Sequence, residues 1–253
     1  MENSLVENKK AFFLSGNALK IIGAIFMLID HIGYMFFPKI ELLRVIGRLS
    51  FPIFAYMIAE GSYYTKHKLR YFLMVFILGV ICQVAYELSG GGVETCVLIT
   101  FALSILIVYA LQFFKDTVFN ENIKIIIKCL SILPLIISVL GAFFIDKYIK
   151  LDYGFFGALA PAFASLFKKP KTNSSTFFNY LDNKIVSLIS FGICLLLIAI
   201  SMGKSRQFYS LLGLIPLIFY SGRRGKVNLK YFFYIFYPTH LAVLYLIQIL
   251  IAK

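Results

Sequence analysis

Few ionisable side chains interrupt the apolar stretches of this chain, and those few are grouped. The first stretch, LKIIGAIFMLIDHIGYMFFP, carries Asp30 and His31 in its interior. The second, LLRVIGRLSFPIFAYMIAEGSYY, carries Arg44, Arg48 and Glu60. The last, YFFYIFYPTHLAVLYLI, carries His240. An ionisable group at the centre of a bilayer costs about 2.5–3.5 kcal/mol on insertion scales, so such groups mark function or buried ion pairing. Imidazole, guanidinium and carboxylate are groups that move protons and stabilise charge. A histidine takes the proton of the acceptor, an arginine stabilises an oxyanion, and an aspartate holds a partner in place.

Helical geometry sharpens this. Lys20 and His31 share one face of a helix, about 16 Å apart along its axis. A cation below and an imidazole above suit a long ligand with a charged head and a reactive tip, such as acetyl-CoA. Topology alone also accounts for Lys20, as an ordinary positive-inside residue. Asp30, next to His31, points about 100° away from it. It is therefore expected to pair with an arginine of the second stretch. Arg44 and Arg48 share a face; Arg44 either joins Asp30 or reaches the outer headgroups, and Arg48 lies deeper. Glu60 and the basic segment with Lys66 and Arg70 form one candidate phosphate-binding region. The loop SGRRGK, with Arg223 and Arg224, forms another: its glycines give backbone access and its cations charge. Positive-inside topology explains these charges equally well.

The elements that hold these groups must be membrane helices. The 253 residues are 60% hydrophobic and 15% charged, whereas soluble domains carry about 25% charged residues. A soluble enzyme, a disordered chain and a fibrous repeat are thereby excluded. The long unbroken apolar runs point to helices and away from a barrel. The net charge of +13 sits in short loops, which indicates topology and anionic lipid and not nucleic acid. The four cysteines lie singly in or beside apolar runs, with no CxxC. They read as packing residues, and neither a disulfide framework nor a metal site is expected.

The chain reads as all-α, a polytopic bundle forming a single domain, 1–253. Nine apolar segments are expected: 18–37, 42–63, 69–86, 96–114, 123–145, 153–167, 185–202, 208–220 and 231–252. The sixth and eighth are short for a full span of about 20 residues. With the N-terminus in the cytosol, 17 Lys and Arg fall inside and 8 outside. That ratio favours N-in and C-out, with the 89–95 loop outside.

DHIG in the first stretch, GRLSFPIFA with AEG in the second, DYGFFGALAP, and FYPTHL in the last occur in one order from about residue 19 to 247. In this combination the chain resembles the TraX family. The resemblance implies a membrane acetyltransferase. TraX proteins are named for acetylating the N-terminal residue of a conjugative pilin, and they are similar to transmembrane acyltransferases that modify envelope glycans. It implies cytosolic acetyl-CoA as donor, a peptide or glycan acceptor at the membrane or outer face, and a bacterial-type inner membrane. The catalytic role falls on His31, with Asp30, Arg48 and His240 beside it. Lys20, Glu60, Lys66, Arg70, Arg223, Arg224 and Tyr237 are expected to serve the donor. Direct transfer and an acetyl-imidazole intermediate both remain open. The rival from another class is a proton-coupled transporter using Asp30, His31, Glu60 and His240 as a relay. No inverted repeat is visible in its favour.

Overall fold

The first membrane helix, α1 (Gly16–Met35), begins where Ser15 accepts a hydrogen bond from the Ala18 N–H at 3.2 Å, a role that serine favours at a helix start. The computed structural model describes residues 13–88, 95–171, 176–227 and 229–251. Apart from an isolated bridge between Leu14 and Tyr220, the described residues form helices and their connections. After α1 come α2 (Glu41–Gly47), α3 (Ser50–Tyr64), α4 (Lys68–Leu88), α5 (Val97–Val118), α6 (Ile125–Leu130), α7 (Leu133–Ile149), α8 (Gly154–Ser165), α9 (Thr176–Leu181) and α10 (Lys184–Met202). A 3-10 helix (Ser205–Gly213), α11 (Leu214–Ile218) and α12 (Lys230–Ile251) follow.

Among the described residues, seven stretches are long and apolar enough to cross a bilayer: α1, α2 with α3, α4, α5, α6 with α7, α10 and α12. The all-helical membrane fold expected from composition is therefore present. The two short segments are built differently from their neighbours. Segment 153–167 yields the twelve-residue α8, and segment 208–220 yields most of the 3-10 helix and all of α11. The expected 89–95 loop lies almost wholly outside the described residues.

Contacts divide the chain into two compact units, residues 1–57 with 204–253 and residues 58–203. In the second unit α8 packs between α5 and α10. Its sequence, GFFGALAPAFAS, is rich in small residues that let backbones approach. Ile107, Val108 and Leu111 of α5 bury against Ala158 and Ala162 of α8, with Ala142 of α7 and Leu151. On the other face, α10 donates from Ser187 to the Ala164 carbonyl at 2.7 Å and from Ser190 to the Phe163 carbonyl at 2.9 Å.

The short α8 segment runs nearly the length of a spanning helix. At its start Thr100 Oγ1 donates to the Asp152 carbonyl at 3.0 Å. At its end Lys115 Nζ donates to the Ser165 and Lys168 carbonyls at 2.9 and 2.8 Å. Thr100 and Lys115 stand about 22 Å apart along α5.

The first unit has a similar device. A 3-10 helix rises about 2.0 Å per residue against about 1.5 Å for an α-helix, so Ser205–Ile218 covers about 25 Å. Gly213 lies against Leu49 and Pro52, and the Phe219 carbonyl accepts from the Leu14 N–H at 3.0 Å. Tighter winding thus gives a short segment the reach its residue count lacks.

Lys115 offers a test of this scaffold. It is only 4% exposed and caps the carbonyl end of α8. Lys115→Met strands carbonyls, each worth about 1–3 kcal/mol when buried and unpaired. Its thermal midpoint in detergent should fall by several degrees, while Lys115→Arg should recover part of the loss.

Candidate functional site

The site is built on the first unit, where α1, α2 and α12 carry its residues. Asp30 stands near the end of α1, facing α2. Arg48 Nη2 donates to both carboxylate oxygens, at 3.1 and 2.9 Å. Arg44 Nη1 pairs with Oδ2 at 2.8 Å and donates to the Asp30 carbonyl at 3.1 Å. Its guanidinium also lies over the Tyr34 ring, 5.1 Å from the centroid. Side-chain exposures of 15–22% place the cluster in a largely dry setting. The absent side chain of Gly47 makes room for it, because a Cβ there would overlap the Asp30 carboxylate.

The local chain explains how both arginines reach one carboxylate. α2 ends at Gly47, and the Arg48 and Leu49 N–H groups bond back to Val45 and Ile46, a tight 3-10 pattern. Pro52, which lacks an N–H, sits in the first turn of the resumed helix α3, where that lack is tolerated. Ser50 Oγ donates to the Gly23 carbonyl at 2.9 Å and holds α3 against α1.

His31 turns away from Asp30 toward α12. Its ring centroid lies 5.1 Å from that of His240, edge to face at 73°. His31 Nδ1 bonds the Met27 carbonyl at 2.8 Å, and His240 Nδ1 bonds the Phe236 carbonyl at 2.9 Å. A carbonyl can only accept, so each neutral ring carries its proton on Nδ1 and its lone pair on Nε2. His240 is 6% exposed, and its Nε2 has no hydrogen-bond partner among the described residues. Phe236 stacks on its ring at 4.8 Å and 8°, and Tyr237 stands edge-on at 5.6 Å. Tyr237 is thus placed at the histidine pair.

Toward the other end of α1, Lys20 Nζ lies 5.7 Å from the Phe233 ring of α12. Lys20 and His31 therefore both face α12, as the helical period requires. Below Lys20 the 221–227 loop wraps the start of α1. The Arg223 and Arg224 carbonyls accept from the Gly16 and Asn17 N–H groups at 2.8 and 3.0 Å. Gly225 adopts φ +101 against Ser15, a conformation and closeness that favour glycine. The Arg223 and Arg224 carbonyls are thus spent on capping, and both residues are exposed.

Three expected residues belong to the second unit. Glu60 forms an ion pair with Lys168, and Lys168 Nζ also lies 4.7 and 4.9 Å from the Tyr63 and Tyr64 rings. Lys66 and Arg70 are exposed at the α3–α4 connection. Among the described residues, no group of three or more His, Cys, Asp or Glu could hold a metal.

Gln207 and Ser210 escaped the sequence reading. In a 3-10 helix residues three apart eclipse, so they align with Gly213, which touches Leu49 and Pro52. They are 1% and 0% exposed, and Gln207 Nε2 and Ser210 Oγ have no partner among the described residues. Only a three-residue polar period, masked by the apolar run 208–220, could have signalled them.

These features define a polytopic helical membrane protein with a buried histidine pair and an intramembrane carboxylate held by two guanidinium groups. Residues 15–248 match the family model described as TraX protein, and the chain belongs to the TraX family. The resemblance carried by DHIG, GRLSFPIFA and FYPTHL is therefore borne out. The chain is similar to the probable fimbrial assembly protein FimC, serogroup H1, of Dichelobacter nodosus, with 24% identity over 249 residues, 89% of this chain and 92% of that protein. It is also similar to the uncharacterized protein RP591 of Rickettsia prowazekii (strain Madrid E), with 39% identity over 66 residues. That match covers 26% of this chain and 25% of RP591. No solved structure matches the chain.

The cluster makes a stability prediction. Removing one partner of a buried ion pair costs about 3–5 kcal/mol, because the remaining charge is stranded. Asp30→Asn should lower the detergent unfolding midpoint far more than His31→Asn. In an Asp30→Leu, Arg44→Met, Arg48→Met triple variant much of that loss should return. Differential scanning fluorimetry of the purified proteins reads both outcomes.

Proposed function

We propose that this chain is a membrane acetyltransferase that moves an acetyl group from cytosolic acetyl-CoA to an amine or hydroxyl at the membrane or outer face. The observation that carries this reading is the His31–His240 pair. Both rings are tethered through Nδ1 and keep the Nε2 lone pair for chemistry. Family membership and similarity to a fimbrial assembly protein accord with an acceptor on the cell envelope.

In the proposed reaction the N-terminal end of α1 faces the cytosol. Arg223, Arg224 and Lys20 attract the donor's phosphates there, and Lys66 and Arg70 belong to a loop whose charge reads as cytosolic. The pantetheine arm extends along α1 toward His31, a path of about 16 Å. His31 Nε2 removes the acceptor's proton as the acceptor attacks the thioester carbonyl. The Arg44 and Arg48 guanidinium groups, held by Asp30 on the adjacent face of α1, add positive potential that favours the resulting oxyanion. Collapse breaks the C–S bond, and the imidazolium returns the proton to the CoA sulfur. His240 and Tyr237 orient the acceptor, and Asp30 orients the arginines. Glu60 contributes through Lys168, by shaping the cytosolic surface.

Single-turnover acetyl transfer separates these roles. His31→Gln should bind acetyl-CoA within about twofold of the parent Kd, yet lose at least about a hundredfold in rate, the scale of a general base. His240→Ala should be less impaired. Exchanging both Arg223 and Arg224 for Glu should weaken acetyl-CoA binding, measured by titration calorimetry, more than it changes the unfolding midpoint. Near-normal turnover in His31→Gln would move the base to His240, and absence of acetyl-CoA binding in the parent protein would end the reading.

The orientation is tested in intact cells. In a background with all native cysteines changed to serine, a cysteine at Lys39 should react with a membrane-impermeant maleimide. One at Lys66 should react only after lysis. The reverse pattern would turn the molecule over.

A further inference from the structure

Helices α4 and α5 of the second unit run antiparallel and come very close. A Cβ on Gly79 would lie 3.2 Å from the Ile99 amide nitrogen and 3.2 Å from the Leu98 carbonyl carbon. About one turn onward, the Gln83 side-chain oxygen accepts from the Cys96 N–H at 2.6 Å. This register sets Cys82, three residues after Gly79, opposite Cys96, three residues before Ile99. The two side chains are in hydrogen-bonding contact, and both are thiols. Cys96 is partly exposed at the start of α5, while Cys82 is buried at 4% exposure. The other two cysteines are placed differently. Cys129 is exposed on α6, and Cys194 Sγ meets the Phe156 carbonyl at 3.4 Å.

A disulfide requires Cα atoms within about 7 Å and Cβ atoms directed toward each other, and thiols already in contact across two close antiparallel helices point to such a pair. The chain between α4 and α5 reads SGGGVET, without Lys or Arg. With the N-terminus in the cytosol, that end of the helix pair faces the outer, oxidising side of the membrane.

We propose that Cys82 and Cys96 are a modification site, joined by a disulfide that staples α4 to α5 at their outer ends. The oxidant is the disulfide of a thiol–disulfide oxidase. Cys96, the more accessible thiol, attacks it as thiolate, forming a mixed disulfide and releasing one oxidant thiol. Cys82 then attacks the Cys96 sulfur and releases the second. Two S–H bonds are lost and one S–S bond forms. The two electrons and two protons leave on the oxidant, which becomes a dithiol. The proposal rests on the cytosolic N-terminus and is independent of acyl transfer.

The test uses the full chain in its native membrane. Cells are quenched in denaturant with one alkylating reagent, then reduced and treated with an isotopically heavier form of the reagent. Peptide mass spectrometry should find the heavy label on Cys82 and Cys96 and the light label on Cys129 and Cys194. In Cys96→Ser, Cys82 should move to the light label. Reduction of the purified parent should lower its unfolding midpoint by several degrees, with no such change in Cys96→Ser. Light label on all four cysteines in cells would overturn the proposal, even if copper–phenanthroline can join the pair in the purified protein.

Discussion

A bare carboxylate is not tolerated in the dry interior of a membrane protein, and much of the first unit follows from satisfying Asp30. One arginine grips both oxygens, and a second bonds one oxygen and the Asp30 carbonyl. To bring both guanidinium groups to one point, α2 must lie on α1 with almost no separation. Gly47 permits that approach by leaving the space its side chain would fill. The break before Ser50 lets α2 tilt while α3 remains anchored to α1 through the Gly23 carbonyl. With Asp30 held on that side, the next residue of the helix is directed elsewhere. His31 accordingly meets α12 and His240. The charge cluster and the histidine pair are two faces of one constraint.

The same physics of stranded groups recurs wherever the chain departs from a plain span. Lys115 closes the carbonyl end of α8. Ser15 and the Arg223 and Arg224 carbonyls close the N–H end of α1. Backbone groups at membrane depth require internal partners, so caps that would be surface ornaments in a soluble protein become structural ties here. The histidine Nε2 of residue 240, the Gln207 amide and the Ser210 hydroxyl stand out against this thorough satisfaction.

Much of this architecture was legible in the sequence, for particular reasons. An aspartate inside an apolar run must pair, and Arg44 and Arg48 are the cations that the next apolar run carries. The common face of Lys20 and His31 followed from the helical period, and both indeed meet α12. The 208–220 segment was harder. Its apolar content resembled a span, but the 3-10 winding that gives it reach has no composition signal of its own. Gln207 and Ser210 went unseen for that reason. Lys168 looked like one more loop cation, because its partner Glu60 lies more than a hundred residues earlier in the chain. The facing of Cys82 and Cys96 depends on the crossing of two helices at Gly79, which single-residue spacing does not reveal.

The histidine geometry also bears on the choice between transfer and transport. A relay that passes a proton through an imidazole ring receives it at one nitrogen and releases it from the other. In both histidines the Nδ1 side is closed by a backbone carbonyl of its own helix. Asp30, the nearest carboxylate in sequence, is occupied by two arginines. Protons can therefore reach and leave each ring through Nε2 alone. A group with one open nitrogen suits a base that takes a proton from a substrate and returns it to the product. The absence of a second open nitrogen weighs against a path that enters each ring at one nitrogen and leaves at the other.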